Sequence, residues 1–300
     1  MRFVVTGAAG FIGSHLAEAL VGRGDDVVAV DAFTDYYDPA LKEENAAGLD
    51  VVRADLAEET LDLEGVDGLF HLAGQPGVRA SWGDDFGLYV RRNVLATQRL
   101  LEAAVPAGIR VVFASSSSIY GDAEAYPTSE ETEPRPISPY GITKLACEHL
   151  LHAYRADAVT LRYFTVYGPR QRPDMFFTRV LNALADGSEL ALYGDGSASR
   201  SFTYVADAVE ATIAAMERGS GVYNVGGGSE TTVSEAIALA ERISGGTLDV
   251  RRVEAQAGDV RRTRADIERI RADLGWEPRT ALEEGLRAQW DWASSRVAAR

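Results

Sequence analysis

The sequence predicts an α/β fold, a doubly wound parallel sheet with a smaller α/β C-terminal lobe. Three observations predict it. Short apolar runs alternate with helical patterns through the first half of the chain. A glycine-rich turn joins the first such run to the first helical stretch. After about residue 165 the alternation loosens, and Gly and Pro punctuate the chain at Gly168-Pro169, Arg172-Pro173, Gly194, Gly196 and Gly226 to Gly228.

The elements follow in order. The run Arg2-Phe-Val-Val-Val-Thr6 is too short for a helix and is expected as the first strand. Further strands are expected at 26–31, 50–53, 67–72, 109–115 and 157–162, with helices over 11–23, 89–107 and 138–155. A helix between successive strands implies βαβ units with short, right-handed connections. Later helices are expected near 174–186, 205–217, 231–244, 266–273 and 281–295. Val222-Tyr-Asn-Val225 reads as another strand, so 202–225 should rejoin the first domain. That gives residues 1–165, with 202–225, as one domain, and 166–201 with 226–300 as a second lobe.

Composition narrows the function class. The chain is 46% apolar and 25% charged, ordinary for a soluble globular protein. No apolar run approaches the ~20 residues of a membrane span. The first residues enter a strand at once, with no basic or cleavable leader, so no signal peptide is expected. A net charge of −15 argues against nucleic acid and anionic membrane as partners. The one cysteine, Cys147, permits no intramolecular disulfide and fits a cytoplasmic protein. It lies among Leu145, Ala146, Leu150 and Leu151, where packing is its expected role. No metal site is expected. Only two residues are lysine, Lys42 and Lys144, among 30 basic ones.

The glycine turn, Gly7-Ala-Ala-Gly10-Phe11-Ile12-Gly13, has the strand-before, helix-after setting of a Rossmann-type dinucleotide site. Gly7 allows the tight turn, Gly10 lets backbone approach a pyrophosphate, and Gly13 lets helix and strand pack closely. The helix N-terminus offers free N–H groups to phosphate. Asp31 ends the second strand, placed to take the adenosine ribose hydroxyls. No Arg or Lys lies near it in sequence to welcome a 2′-phosphate, which favours NAD over NADP. Asp55 and Leu56 close the third strand and are expected at the adenine. Ala73 closes the fourth, and Asn93 opens a helix beside it. Asn93 and His71 also have plain structural alternatives, a loop bond and a satisfied core histidine.

Tyr140 and Lys144 stand four residues apart, on one helix face. A phenol of reference pKa ~10 is a poor base near neutrality. A neighbouring ammonium favours its phenolate. The strand before this helix ends in Ser115-Ser116, hydroxyls able to bond a sugar oxygen that loses its proton.

These motifs carry a resemblance over nearly the whole chain. With Ser116 to Gly121, Arg162-Tyr-Phe-Thr-Val-Tyr-Gly168 and Arg200-Ser-Phe-Thr-Tyr-Val205, it resembles the extended short-chain dehydrogenase/reductases, in their NAD-dependent nucleotide-sugar epimerase/dehydratase group. The resemblance implies Ser116, Tyr140 and Lys144 as the catalytic triad, with Tyr140 and Lys144 also holding the cofactor. It implies a homodimer through helices near 89–107 and 138–155. Asp31 to Pro39, Gln75 to Arg79, Tyr167 to Met175 and Gln256 to Val260 look most like UDP-glucuronate 4-epimerases. Ser117-Ser118 replaces the Asp-Glu of the 4,6-dehydratases. Thr165 and Gln256 stand where UDP-galactose 4-epimerases usually have Asn and Arg.

A UDP-uronate carries a diphosphate and a carboxylate. Arg200 is the candidate for the diphosphate. Arg172 and Thr165, with Ser117 and Ser118, are candidates for the carboxylate, and Tyr193 for the uracil. Gln256 and Asp259 complete the expected substrate contacts. The implied reaction inverts C4 through a 4-keto sugar with no net redox change. UDP-glucose/UDP-galactose 4-epimerisation, UDP-glucuronate decarboxylation and a non-catalytic dinucleotide sensor are the alternatives.

Overall fold

The computed structural model describes residues 1–298 apart from Gly228, Ala255 and Ala257. The first half is six strands with intervening helices: β1 (Arg2–Thr6), α1 (Phe11–Gly22), β2 (Asp26–Asp31), α2 (Pro39–Asn45), β3 (Val51–Arg53), β4 (Gly68–His71), α3 (Phe86–Tyr89), α4 (Ala96–Ala104), β5 (Arg110–Ser116), α5 (Pro139–Ala153) and β6 (Ala158–Tyr163). The second half holds β7 (Thr165–Tyr167), α6 (Phe176–Asp186), β8 (Leu190–Tyr193), β9 (Ser199–Arg200), β10 (Phe202–Tyr204), α7 (Val205–Arg218), β11 (Gly221–Val225), β12 (Thr231–Thr232), α8 (Val233–Ser244), β13 (Val250–Val253), α9 (Glu268–Leu274) and α10 (Leu282–Ala298).

Seven strands form one sheet in the order β11-β6-β5-β4-β1-β2-β3, every pair parallel. The order reverses between β1 and β4, which opens a crevice at their carboxyl ends. β11 pairs with β6 from Gly221 opposite Val159 to Val225 opposite Tyr163, so the late strand does join the sheet. Three two-stranded ribbons, β7 with β10, β9 with β12 and β8 with β13, lie outside that sheet among the described residues, and β7, β8, β9 and β10 supply a wall of the crevice.

Both sheet faces are apolar because parallel strands are covered by helices on each side. One face buries Phe3, Val5, Phe70, Val112 and Leu161 with α1 and α7. The other buries Val4, Leu69 and Val111 with Leu100 and Ala104 of α4. A separate cluster around Phe177, Leu181, Leu239 and Leu286 holds α6, α8 and α10 together. Each fully buried Leu or Phe contributes about 1.5–3 kcal/mol, so these clusters fix the walls of the crevice.

The helix expected over 89–107 is interrupted. Between α3 and α4, Val90–Leu95 forms a π-helical segment. Inside it the Asn93 carbonyl accepts a bond from Cys147 Sγ at 3.4 Å, and the Asn93 side chain is committed elsewhere. Such bulges recur at functional sites, and this one borders the crevice.

Candidate active site

The crevice is a cavity of about 1200 Å³ running between the sheet's carboxyl edge and the ribbon wall. The glycine turn forms one end. Gly7 has φ +73°, and a Cβ there would lie 2.8 Å from the Ala73 backbone nitrogen. A Cβ on Gly13 would sit 2.0 Å from the Gly7 carbonyl oxygen. Gly10 caps α1 without any side-chain bond, so the first turn of α1 meets the cavity as bare backbone. Gly7, Gly10, Phe11, Ile12 and Gly13 all line it. This is a cradle fitted to a diphosphate, and only glycine leaves it open.

Asp31 lies at the end of β2, where Ala9 N–H and Phe33 N–H donate to its two oxygens at 3.1 and 2.7 Å. The bonds fix the carboxylate while leaving lone pairs for ribose hydroxyls. Asp55, Leu56 and Ala73 also line the cavity. Arg91 donates to Asp55 at 2.7 Å. Burial pushes the Asp55 carboxyl up, but Ala57 N–H and Arg91 outweigh it and hold it below the usual range.

Three sequence-based expectations change here. Asn93 does not reach the cavity. It is buried behind Gly74, accepting from Gln75 N–H at 2.6 Å and donating to Thr143 Oγ1 at 3.0 Å. It braces the floor, because a loop amide left unpaired beneath the cofactor strand would be costly. The expectation of no cation near Asp31 also fails, because α2 folds Lys42 back into the cavity wall. Lys42 is nevertheless engaged: its Nζ donates to Thr34 O and Oγ1 at 2.9 and 3.0 Å. Gln256 is exposed and outside the cavity lining, whereas Asp259, whose N–H donates to the Gln256 carbonyl at 3.2 Å, lines it. His71 takes its structural alternative, buried and paired to Thr6 and Thr97 hydroxyls at 2.8 and 3.0 Å.

Ser116, Tyr140 and Lys144 share the middle of the cavity. Ser116 ends β5 and caps a short turn, accepting from Ser118 N–H at 3.1 Å. Ser138 caps α5, taking the Gly141 N–H at 3.1 Å, with Pro139 at the first helical position. That start places Tyr140 at the mouth of α5 and Lys144 one turn deeper. Lys144 is buried and donates to the Ala114 carbonyl at 2.8 Å. The bond ties α5 to β5 and leaves two ammonium protons for ligands. The Tyr140 ring meets Tyr89 edge to face at 6.3 Å.

Ser117, Ser118, Thr165, Arg172, Tyr193, Arg200 and Asp259 line the same cavity. Arg172 pairs side-on with Asp174, Nε to Oδ1 and Nη2 to Oδ2, both at 3.0 Å. Burial disfavours its charge, but Asp174 more than restores it. Arg79 forks onto Asp259 at 2.7 and 3.2 Å and stacks 3.9 Å over Tyr193. Burial pushes Arg200 below the usual guanidinium range, with Asp259 pulling it back. Asp174, Tyr36, Lys42 and Arg79 were not among the expected contacts. Tyr36, Asp174 and Arg79 lie inside the segments that carry the resemblance, and Lys42 is one of two lysines; those were the available signals.

Residues 3–226 match the NAD-dependent epimerase/dehydratase family. The chain belongs to that family. It is 41% identical to an uncharacterized UDP-glucose epimerase of Bacillus subtilis, over 98% of both chains. It superposes on the crystal structure of UDP-glucuronic acid 4-epimerase from Bacillus cereus, in complex with UDP-glucuronic acid and NAD, with a TM-score of 0.95 at 39% identity, over 99% of this chain and 100% of that one. MoeE5 in complex with UDP-glucuronic acid and NAD gives 0.89 at 44% identity, over 99% and 100%. The same protein has been crystallised with UDP-glucose and NAD.

Among the described residues no cluster of three metal-ligating side chains occurs. Nor is any described helix long and apolar enough to cross a membrane.

Proposed function

We propose that this protein interconverts UDP-glucuronate and UDP-galacturonate by C4 epimerisation. The observation that carries it is the Arg172 guanidinium, which lines the same cavity as Tyr140 and the hydroxyls of Thr165, Ser117 and Ser118. Asp174 takes one edge of that guanidinium, and a C6 carboxylate can take the other, where a neutral hexose brings no charge. The resemblance to epimerases that bind UDP-glucuronic acid supports it.

Gly7 to Gly13 and Asp31 hold the dinucleotide through its diphosphate and adenosine ribose, and Lys144 its second ribose. When bound, NAD supplies the oxidising and reducing power that makes C4 transiently a ketone. The protein's own residues handle the proton. Tyr140 removes it from the C4 hydroxyl and returns it to the new alcohol. Ser116 holds the same oxygen, and the Lys144 ammonium favours the Tyr140 phenolate. Arg200 binds the diphosphate with Asp259 beside it, Tyr193 covers the uracil, and Arg172 holds the carboxylate. The ketone has to turn its other face between the two steps, so the ring stays loosely held while the nucleotide end is fixed. The carboxylate must also be kept out of line with the ketone, because the intermediate is a β-keto acid that loses CO2 when aligned.

The same reading makes the protein a cytoplasmic homodimer, with residues 1–165 and 202–225 as the NAD domain and 166–201 and 226–300 as the sugar lobe. Leu88, Leu95, Ile137 and Ile142 support the dimer, since all four are exposed on or beside α3, α4 and α5.

The test is a product assay with UDP-glucuronate and UDP-glucose offered separately. UDP-galacturonate from the first, with little turnover of the second, is the expected result. UDP-galactose alone would move the enzyme to neutral sugars, and UDP-xylose would make it a decarboxylase.

A further inference from the structure

Arg172 is already occupied by a carboxylate of this chain. Asp174, two residues on, takes the Nε and one Nη2 proton side-on, at 3.0 Å each. Tyr36 donates to the same carboxylate, to Oδ2 at 3.4 Å, from the loop after β2 that also carries Phe33, whose N–H donates to Asp31. Burial and then Asp174 push the Tyr36 phenol up to about 12, so it remains a donor. Arg172, Asp174, Tyr36 and Tyr140 line one cavity.

Two consequences follow from guanidinium chemistry. The group has five N–H donors in a flat fork, with one side-on edge at Nε/Nη2 and another at Nη1/Nη2. Asp174 fills the first edge and leaves the second for an incoming carboxylate. It therefore orients the fork. It also cancels the charge. With Asp174 in place, a neutral hexose can occupy the sugar site without confronting an unpaired, largely buried cation, whose exposure to an uncharged partner would be costly.

We propose that Asp174 is a specificity-determining residue: it neutralises and aims Arg172, and so softens the preference for uronates over neutral sugars that an unpaired guanidinium would impose. This rests on the assignment of Arg172 to the C6 carboxylate. Discrimination here is a difference of two affinities, and Asp174 acts on the neutral side of that difference.

The experiment measures kcat/KM for UDP-glucuronate and for UDP-glucose on the NAD-loaded enzyme, in wild type, Asp174→Asn and Asp174→Glu. Both substrates are assayed on one preparation, so any loss of folded protein cancels in the ratio. Asp174→Asn is expected to shift that ratio toward UDP-glucuronate by roughly tenfold or more, the scale on which an unpaired buried charge acts. The change should appear mainly as a poorer KM for the neutral sugar, with the uronate KM and both kcat values moving less. Asp174→Glu returns the charge and should bring the ratio back toward wild type. Equal losses on both substrates, or a ratio that moves toward the neutral sugar, would overturn the inference while leaving the substrate assignment standing. A wild type inert on UDP-glucuronate would overturn both. An inference lost alone shows instead as normal uronate turnover that still depends on Arg172, with a ratio that Asp174→Asn does not move.

Discussion

Tyr140 and Arg172 carry the sharpest expectations at the scale of single residues. Tyr140→Phe keeps the ring against Tyr89 but removes the only group proposed to move the C4 proton. Turnover should fall by about 10²–10⁴-fold or more. Bound NAD, read by absorbance and mass, should stay at the wild-type level. Arg172→Ala should damage kcat/KM for UDP-glucuronate far more than for UDP-glucose; matching losses would remove its carboxylate role. His71 makes a different kind of statement. Burial, then the Lys144 charge, pushes it down from 6.5 to about 3. Between those two values the unfolded chain binds a proton that the folded chain refuses. Stability from this group is therefore complete above pH 6.5 and is lost as pH falls toward 3. Denaturant titrations across that range should show the decline, and His71→Gln, which cannot titrate, should flatten it.

At the scale of elements, the start of α1 and the seat of α5 decide whether those residues meet. Gly13→Ala drives a methyl to 2.0 Å from the Gly7 carbonyl oxygen, backbone against backbone. The helix must slide off β1, so NAD binding should be lost and the melting temperature lowered. α5 is held from behind. Glu148, one turn beyond Lys144, pairs with Arg162 of β6 through Nε at 3.1 Å and Nη2 at 2.7 Å, both side chains about a tenth exposed or less. Glu148 also accepts from the Ser115 hydroxyl on β5, beside Ser116. Glu148→Gln strands a buried guanidinium and should cost about 3–5 kcal/mol of stability, measurable by denaturant unfolding.

These two elements also show what the sequence made legible. The glycine turn, Asp31, and the Tyr140–Lys144 face are set by strand-to-turn-to-helix geometry within a few residues, so local spacing reveals them. All seven sheet strands were readable to within a residue for the same reason. Arg79 and Asp259 meet across 180 residues, and Tyr36 meets Asp174 across 138; no spacing rule encodes such contacts. Asn93 lies behind the cavity lining, bonded to Gln75 and Thr143, because one amide looks alike in sequence whether it faces a ligand or a neighbouring loop. Gln256 is exposed while Asp259 lines the cavity, a difference that sequence spacing does not encode.

For the whole molecule, the proposed dimer is the property most easily tested. Ile142 is half exposed on α5, on the same helix as Tyr140 and Lys144. Ile142→Arg should give a monomer in sedimentation velocity if α5 forms the contact between copies. The net charge of −15 adds a general repulsion between copies, so added salt should strengthen any apolar association.

The sheet's last strand, β11, has a consequence for how the protein is made. Ribosomes deliver the chain from residue 1 onward, and six of the seven strands have emerged by Tyr163. Until Gly221–Val225 follows, β6 remains a bare edge with five register positions open, able to pair with any extended chain nearby. Some sixty further residues, including β7 to β10 with α6 and α7, must leave the exit tunnel before that edge is sealed. Nascent chains paused inside this stretch are thus the form of the protein most exposed to aggregation and most in need of a chaperone.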